Sequence, residues 1–177
     1  PIFPLVSPES SSYPLTADFV LNETREHRDR LIPFCSVDPR TSYRGGVKGL
    51  ADMLRKYQDA GARGFGEHKP GVAVDEPRNM TIYAACEEVK LPLLFHLDTQ
   101  RNTDKPGLSG LENAIRQHPG CGFIGHGRGW SASISGDVTA NGLGGYPKGP
   151  RSEEHTSDLQ SRTQLVCRLL LDNNNHS

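Results

Sequence analysis

Leu91-Pro-Leu-Leu-Phe-His96 and Cys121-Gly-Phe-Ile-Gly-His126 decide the fold. Each is an apolar run that closes on a histidine. Neither alternates cleanly between polar and apolar residues, so each reads as a strand buried on both faces, as in a parallel sheet. Two earlier runs share the pattern: Leu31-Ile-Pro-Phe-Cys-Ser-Val37 and the Gly-rich Ala62-Arg-Gly-Phe-Gly-Glu67. The four starts lie 31, 29 and 30 residues apart. The opening Pro1-Ile-Phe-Pro-Leu-Val6 reads as the end of one more strand.

Helix patterns fill the intervals. Val47, Leu50, Met53, Leu54 and Tyr57 follow an amphipathic stripe. Asp75 is a candidate cap for a helix with Pro77 in its first turn, running to about Lys90. Ser109-Gly-Leu-Glu112 reads as a capping box, and Pro119-Gly120 stops the helix it opens. Thr16 is placed to cap a helix carrying Phe19, Val20 and Glu23 toward His27. A βα unit recurring about every 30 residues predicts a parallel α/β fold. A complete eight-unit barrel takes about 250 residues, and a doubly wound open sheet fits the same count. Periodicity does not choose between them. No G-x-G-x-x-G follows a strand, which weighs against dinucleotide binding.

Composition narrows the function. Twenty Lys+Arg against 21 Asp+Glu in 177 residues leave a net charge of −1. That removes the electrostatic case for nucleic acid or an anionic membrane as partner. No apolar run approaches the roughly 20 residues of a spanning helix. A small-molecule substrate is the expected partner. Cys35, Cys86, Cys121 and Cys167 form no C-x-x-C pair, so they read as buried thiols in a reducing, cytoplasmic setting. The first residue is Pro rather than Met, which leaves a leader segment open.

His96 and His126 occupy the same place in successive units, the C-terminal end of a strand. In a parallel barrel that rim carries the chemistry and the opposite rim carries stability. Neighbouring strands would bring both imidazoles to one site, and imidazole suits a divalent transition metal. Glu67 ends the preceding strand in Gly-Phe-Gly-Glu-His-Lys69, as a metal ligand, a ligand-orienting group or a partner of Lys69 or Arg63. Lys69 is open to binding a substrate carboxylate. Asp98 lies two residues past His96 and reads equally as a support for a metal-bound histidine or as a loop cap. His27 and His118 read as solvated or helix-capping residues, and His68 is undecided.

Residues 1–150 resemble the middle of a metal-dependent amidohydrolase of the amidohydrolase-related group, which includes aromatic-acid decarboxylases. The resemblance rests on Ile32-Pro-Phe-Cys-Ser-Val-Asp-Pro-Arg40, Gly64-Phe-Gly-Glu-His-Lys-Pro-Gly71, Leu91-Pro-Leu-Leu-Phe-His96 and Phe123-Ile-Gly-His126, taken in order and spacing. It implies an incomplete (β/α)8 TIM barrel, roughly strands two to six. His96 becomes the fifth-strand metal ligand. His126 becomes the sixth-strand histidine, which binds a second metal or helps activate water. The family's first-strand His-x-His pair and eighth-strand Asp are absent. Its carboxylated fourth-strand Lys is not assigned to Lys69.

The expected activity is hydrolysis of a C–N, ester or lactone bond by a metal-activated water, with zinc or a similar divalent ion held by His96, His126 and Glu67. Non-oxidative decarboxylation is the close variant. Lacking part of the site, the chain itself is expected to be inactive. Two rivals stand: a Schiff-base lyase or aldolase barrel using Lys69, and a barrel-derived binding domain without catalysis.

The end of the chain reads differently. Arg151-Ser-Glu-Glu-His-Thr-Ser-Asp-Leu-Gln-Ser161 and Leu165-Val-Cys-Arg-Leu-Leu-Leu171 resemble a translated short-read sequencing adapter, with Asp158 in place of Glu. Residues 151–177 are therefore expected to be an artefactual tail without a role. Asn102–Leu108 and Trp130–Pro150 are the candidate substrate-covering loops.

Overall fold

Thr16 opens α1 (Ala17–Glu23), its hydroxyl accepting from the Phe19 amide at 3.2 Å, as the sequence predicts. In this computed structural model residues 1–2, 16–39, 44–97, 102–105 and 108–126 are described. A 3₁₀ turn over Arg25–His27 follows α1 and delivers Arg28. The Arg28 guanidinium donates to Leu21 O at 2.7 Å, to Gly61 O at 2.9 Å and to Thr24 O at 3.1 Å. Those carbonyls close α1 and α2 (Gly46–Asp59), where a helix leaves its acceptors unsatisfied. One cation thus ties two helix ends together. Leu50, Ala51 and Leu54 form the buried stripe of α2, with Val47, Met53 and Tyr57 packed at its margin.

Two helix starts differ from the sequence reading. α3 (Pro77–Val89) is capped by Glu76, whose carboxylate accepts from Arg78 N at 2.8 Å, and not by Asp75. Pro77 takes the first helical position, where its missing N–H costs nothing. α4 (Ser109–Gln117) has no Ser109 cap. Asp104, from the loop before it, accepts instead from Gly110 N at 2.9 Å and Leu111 N at 2.7 Å. A carboxylate at this end also answers the positive pole of the helix.

The strands run parallel in open sheets, so the chain is α/β; no closed barrel forms among the described residues. β1 (Phe65–His68), β3 (Leu93–His96) and β5 (Phe123–His126) pair in that order. Cys35 bridges to Phe65, and Ile2 to Pro33. The expected strand over 31–37 is reduced to these single bridges, in keeping with a proline that has no amide to donate. β2 (Val72–Ala73) and β4 (Asn102–Thr103) make a second small parallel pair from the connections that follow β1 and β3. No periodic signal marks it in the sequence, since each strand is two residues long.

Cys35, Phe65, Leu93, Phe95 and Phe123 join Leu50, Leu54, Ile82 and Tyr83 in one apolar core. This is the helix-side face of the sheet. Leu94, His96, Ile124 and His126 alternate to the other face. The expectation of strands buried on both faces therefore holds fully on the helix side only: Ile124, His96 and His126 are partly exposed. Cys35, Cys86 and Cys121 are buried free thiols. Burial pushes the Cys35 and Cys121 thiols up to about 12, against a weaker opposing backbone hydrogen bond at Cys35. Cys167, Trp130–Pro150 and residues 151–177 lie outside the described residues. Among the described residues no helix is long and apolar enough to cross a membrane.

β1 is irregular. Phe65 pairs with Leu93 and His68 with Phe95, so three steps on β1 match two on β3. Gly66 and Glu67 together oppose Leu94, which is a β-bulge. Gly66 has φ +141°, and a Cβ there would sit 2.5 Å from the Leu94 carbonyl oxygen. Only glycine meets both conditions. Gly66→Ala is expected to cost about 1–3 kcal/mol for the strained φ alone, with the clash added. Chemical denaturation measures it; a change within 0.5 kcal/mol would show that the bulge does not need glycine.

Candidate metal centre

The bulge decides which side chain of β1 faces the histidines. In a regular strand Phe65 and Glu67 would share a face, and His68 would share the opposite face with Gly66. Phe65 lies in the helix-side core. The extra residue turns Glu67 to the open face and returns His68 to the helix side.

His96 and His126 pair in register across β3 and β5, with ring centroids 5.1 Å apart and rings near perpendicular at 81°. Glu67 Oε1 lies 2.8 Å from His126 Nε2 and 3.4 Å from His96 Nδ1. One ligand atom from each residue falls within a 4.8 Å cluster. The carboxylate is buried, while the imidazole side chains are about one-fifth exposed (20% and 21%). His126 Nε2 is buried and, despite its closeness to Glu67, makes no hydrogen bond of ordinary geometry. Sequence position alone placed these three at one rim, and the structure brings them together.

Glu67 has a second partner. Its Oε2 lies 2.5 Å from Lys69 Nζ. Burial alone would push the Glu67 carboxyl up, but His126, His96 and the Lys69 ammonium outweigh it and hold the group well below the usual carboxylate range. The carboxylate is therefore ionised and split between a cation on one oxygen and the imidazole pair on the other. Arg63 is not among the ion-pair partners of Glu67.

His68, undecided from sequence, belongs to the core. It is buried between Phe65 and Tyr83, at ring distances of 5.7 and 5.9 Å, and its Nε2 lies 2.9 Å from Asn79 Oδ1. Desolvation lowers its pKa to about 4, against the opposing effects of the Asn79 hydrogen bond and the Asp38 charge. The ring is neutral. His118 caps α4 and lies 3.3 Å from Glu87 Oε2, while Glu87 Oε1 accepts from Gly120 N at 2.6 Å. That is the helix-capping reading. His27 is exposed in the 3₁₀ turn, and Asp98 lies outside the described residues.

The burial of two polar residues is not legible in the sequence, where Asn102 only opens a candidate substrate-covering loop. Asn79 is fully buried in the first turn of α3, where nothing marks it apart from an ordinary helix-start Asn. Asn102 of β4, in the connection after His96, is fully buried, and neither of its amide atoms has a hydrogen-bond partner among the described residues. Its short strand carries no periodicity from which burial can be read.

Comparison of the chain with known protein families, curated proteins and solved structures finds no match.

A depressed His68 pKa fixes a sign. Below pH 6.5 the unfolded chain binds a proton that folded His68 refuses, so its contribution to stability is lost as pH falls from about 6.5 toward 4. In histidine-selective NMR, the His68 ring is expected to keep a neutral Nε2–H pattern from about pH 8 to pH 5, since burial disfavours the charged form. A shift to the imidazolium pattern near pH 6.5 would contradict it.

Proposed function

We propose that this chain carries part of the active site of a metal-dependent hydrolase of amidohydrolase type. Its sheet would be roughly strands two to six of a (β/α)8 barrel. Strand order that follows chain order, with a single core on the helix side, supports that architecture over a doubly wound sheet. The observation that carries the function is the Glu67, His96 and His126 cluster at the C-terminal ends of three adjacent parallel strands.

Two imidazoles and one carboxylate match a catalytic zinc site, which uses three protein ligands and keeps a position open. The buried Nε2 of His126, 2.8 Å from Glu67 Oε1 but without a hydrogen bond of ordinary geometry, fits that role, because a buried polar atom is costly unless something satisfies it. A bound zinc or similar ion supplies Lewis acidity and brings the pKa of water to about 7. The protein's own groups do the rest. Glu67 and His96 hold the site. His126, about as exposed as His96, completes the set as the third ligand, and from that place it would orient water or steady a developing oxyanion. Lys69 fixes Glu67 through its second oxygen. Hydrolysis of a C–N, ester or lactone bond in a small molecule is the resulting reaction, and non-oxidative decarboxylation uses the same groups. Neither nucleic acid nor a membrane is a partner in this reading, and the three buried thiols suit a reducing cytoplasm. A Schiff-base role for Lys69 is disfavoured, since its Nζ is committed to Glu67.

Zinc titration of the full chain against a chromogenic chelator tests the reading. One zinc per chain is expected. His96→Ala, His126→Ala and Glu67→Ala should each weaken it by at least about 100-fold, the upper end of what losing a supporting residue costs. Equal zinc affinity in the wild type and all three variants would end the proposal.

A further inference from the structure

The site depends on a choice that β1 makes between two adjacent residues. One of Glu67 and His68 faces the imidazole pair, and the other enters a closed slot against α3. Both are polar and both can bind metal, so residue type alone does not settle which goes where.

The slot has a defined polarity. Asn79 Nδ2 donates to Ala73 O at 2.7 Å. Its amide nitrogen is thereby committed, and the atom left facing β1 is the acceptor Oδ1. His68 Nε2 lies 2.9 Å from that oxygen. It must carry the proton, and the slot therefore requires a donor. A carboxylate offers only acceptors when ionised. Glu67 in this slot would set oxygen against oxygen and bury a charge without a partner.

Ala73 is not a loose anchor. Val74 next to it donates to Thr103 O at 2.8 Å, and Tyr83 Oη donates to Val74 O at 2.8 Å. The β2–β4 pair and α3 thus hold the Ala73 carbonyl in place, and that carbonyl sets which way the Asn79 amide points.

We propose that His68 and Asn79 act as positioning residues, a polarity-selective latch that holds β1 in its bulged register and so presents Glu67 to His96 and His126. Neither latch residue belongs to the Glu67, His96 and His126 cluster. It rests on the reading of Glu67 as a member of the metal site, but its structural half stands without any metal.

The test uses the full chain with Zn²⁺ and Co²⁺ as probes. His68→Leu keeps a large apolar side chain in the slot and removes the donor. His68→Gln returns an N–H at similar reach. Zinc affinity is expected to fall about 10–100-fold in His68→Leu and to return to within about 3-fold in His68→Gln. The visible Co²⁺ spectrum should change in the Leu variant and recover in the Gln variant. Ile82→Val, elsewhere on α3, is the control for a general loss of stability and should leave affinity and spectrum unchanged. Asn79→Ser, a smaller cut, repeats the test if His68→Leu does not fold. Wild-type zinc affinity in His68→Leu, or a Gln variant no better than Leu, overturns the latch. If the wild type binds no zinc, the metal reading fails by itself. Crystal structures of the wild type and His68→Leu then decide the latch: Glu67 displaced from His126 in the variant supports it, and Glu67 unmoved overturns it.

Discussion

One extra residue in β1, opposite Leu94, is what the rest of the site depends on. Strands present side chains alternately, so an insertion of one reverses every residue beyond it. Here the bulge spans Gly66 and Glu67, and the residues it reverses are Glu67 and His68. Without it, a carboxylate would sit in the helix-side core and a histidine would face the open side. The bulge is possible because Gly66 has no Cβ to meet the Leu94 carbonyl.

Around that irregularity the structure spends its buried polar groups. His68, Asn79, Ala73, Val74, Thr103 and Tyr83 are linked by hydrogen bonds running from β1 through α3 to the small loop sheet. Buried networks of this kind specify one arrangement when every member is satisfied and are costly when one is not. The connections after β1 and β3 are thus tied to each other and to α3. They are also the connections that lead away from Glu67 and His96. Rigidity at the C-terminal rim comes from these side-chain bonds, since the β2–β4 ladder is only two residues long.

Much of the fold was legible because burial leaves a plain record. Four apolar runs at 30-residue spacing, and the stripe Val47, Leu50, Met53, Leu54 and Tyr57, report which positions meet the core. His96 and His126 stood out because each interrupts such a run at its last residue, and their pairing in register follows from equivalent positions on neighbouring strands. What stayed hidden depends on contacts distant in sequence. The cap of α4 comes from Asp104 and not Ser109. Arg28 joins the ends of α1 and α2 across more than 30 residues. The bulge leaves only a glycine, and glycine marks turns and close approaches as readily as bulges. That is why His68 stayed undecided beside Glu67: a period-two reading fails where the period shifts.

The charge arrangement sets a limit on how the centre works. Among the described residues Glu67 is the one carboxylate in the cluster, and Lys69 pairs with it through Oε2. A divalent ion beside His96 and His126 would share that single carboxylate with the ammonium and leave the group of five charges and imidazoles strongly positive. In a partly buried site such an excess is expensive, because low dielectric magnifies every unpaired charge. Balance requires anions: hydroxide, a negatively charged substrate group, or a further carboxylate at the same rim. In the proposed hydrolytic site the residual positive charge would favour hydroxide over water and steady negative charge as it develops on oxygen. In that proposed site Lys69 would act without touching the reacting atoms. By holding one oxygen of Glu67, it keeps the other directed at the imidazoles and keeps the centre short of negative charge.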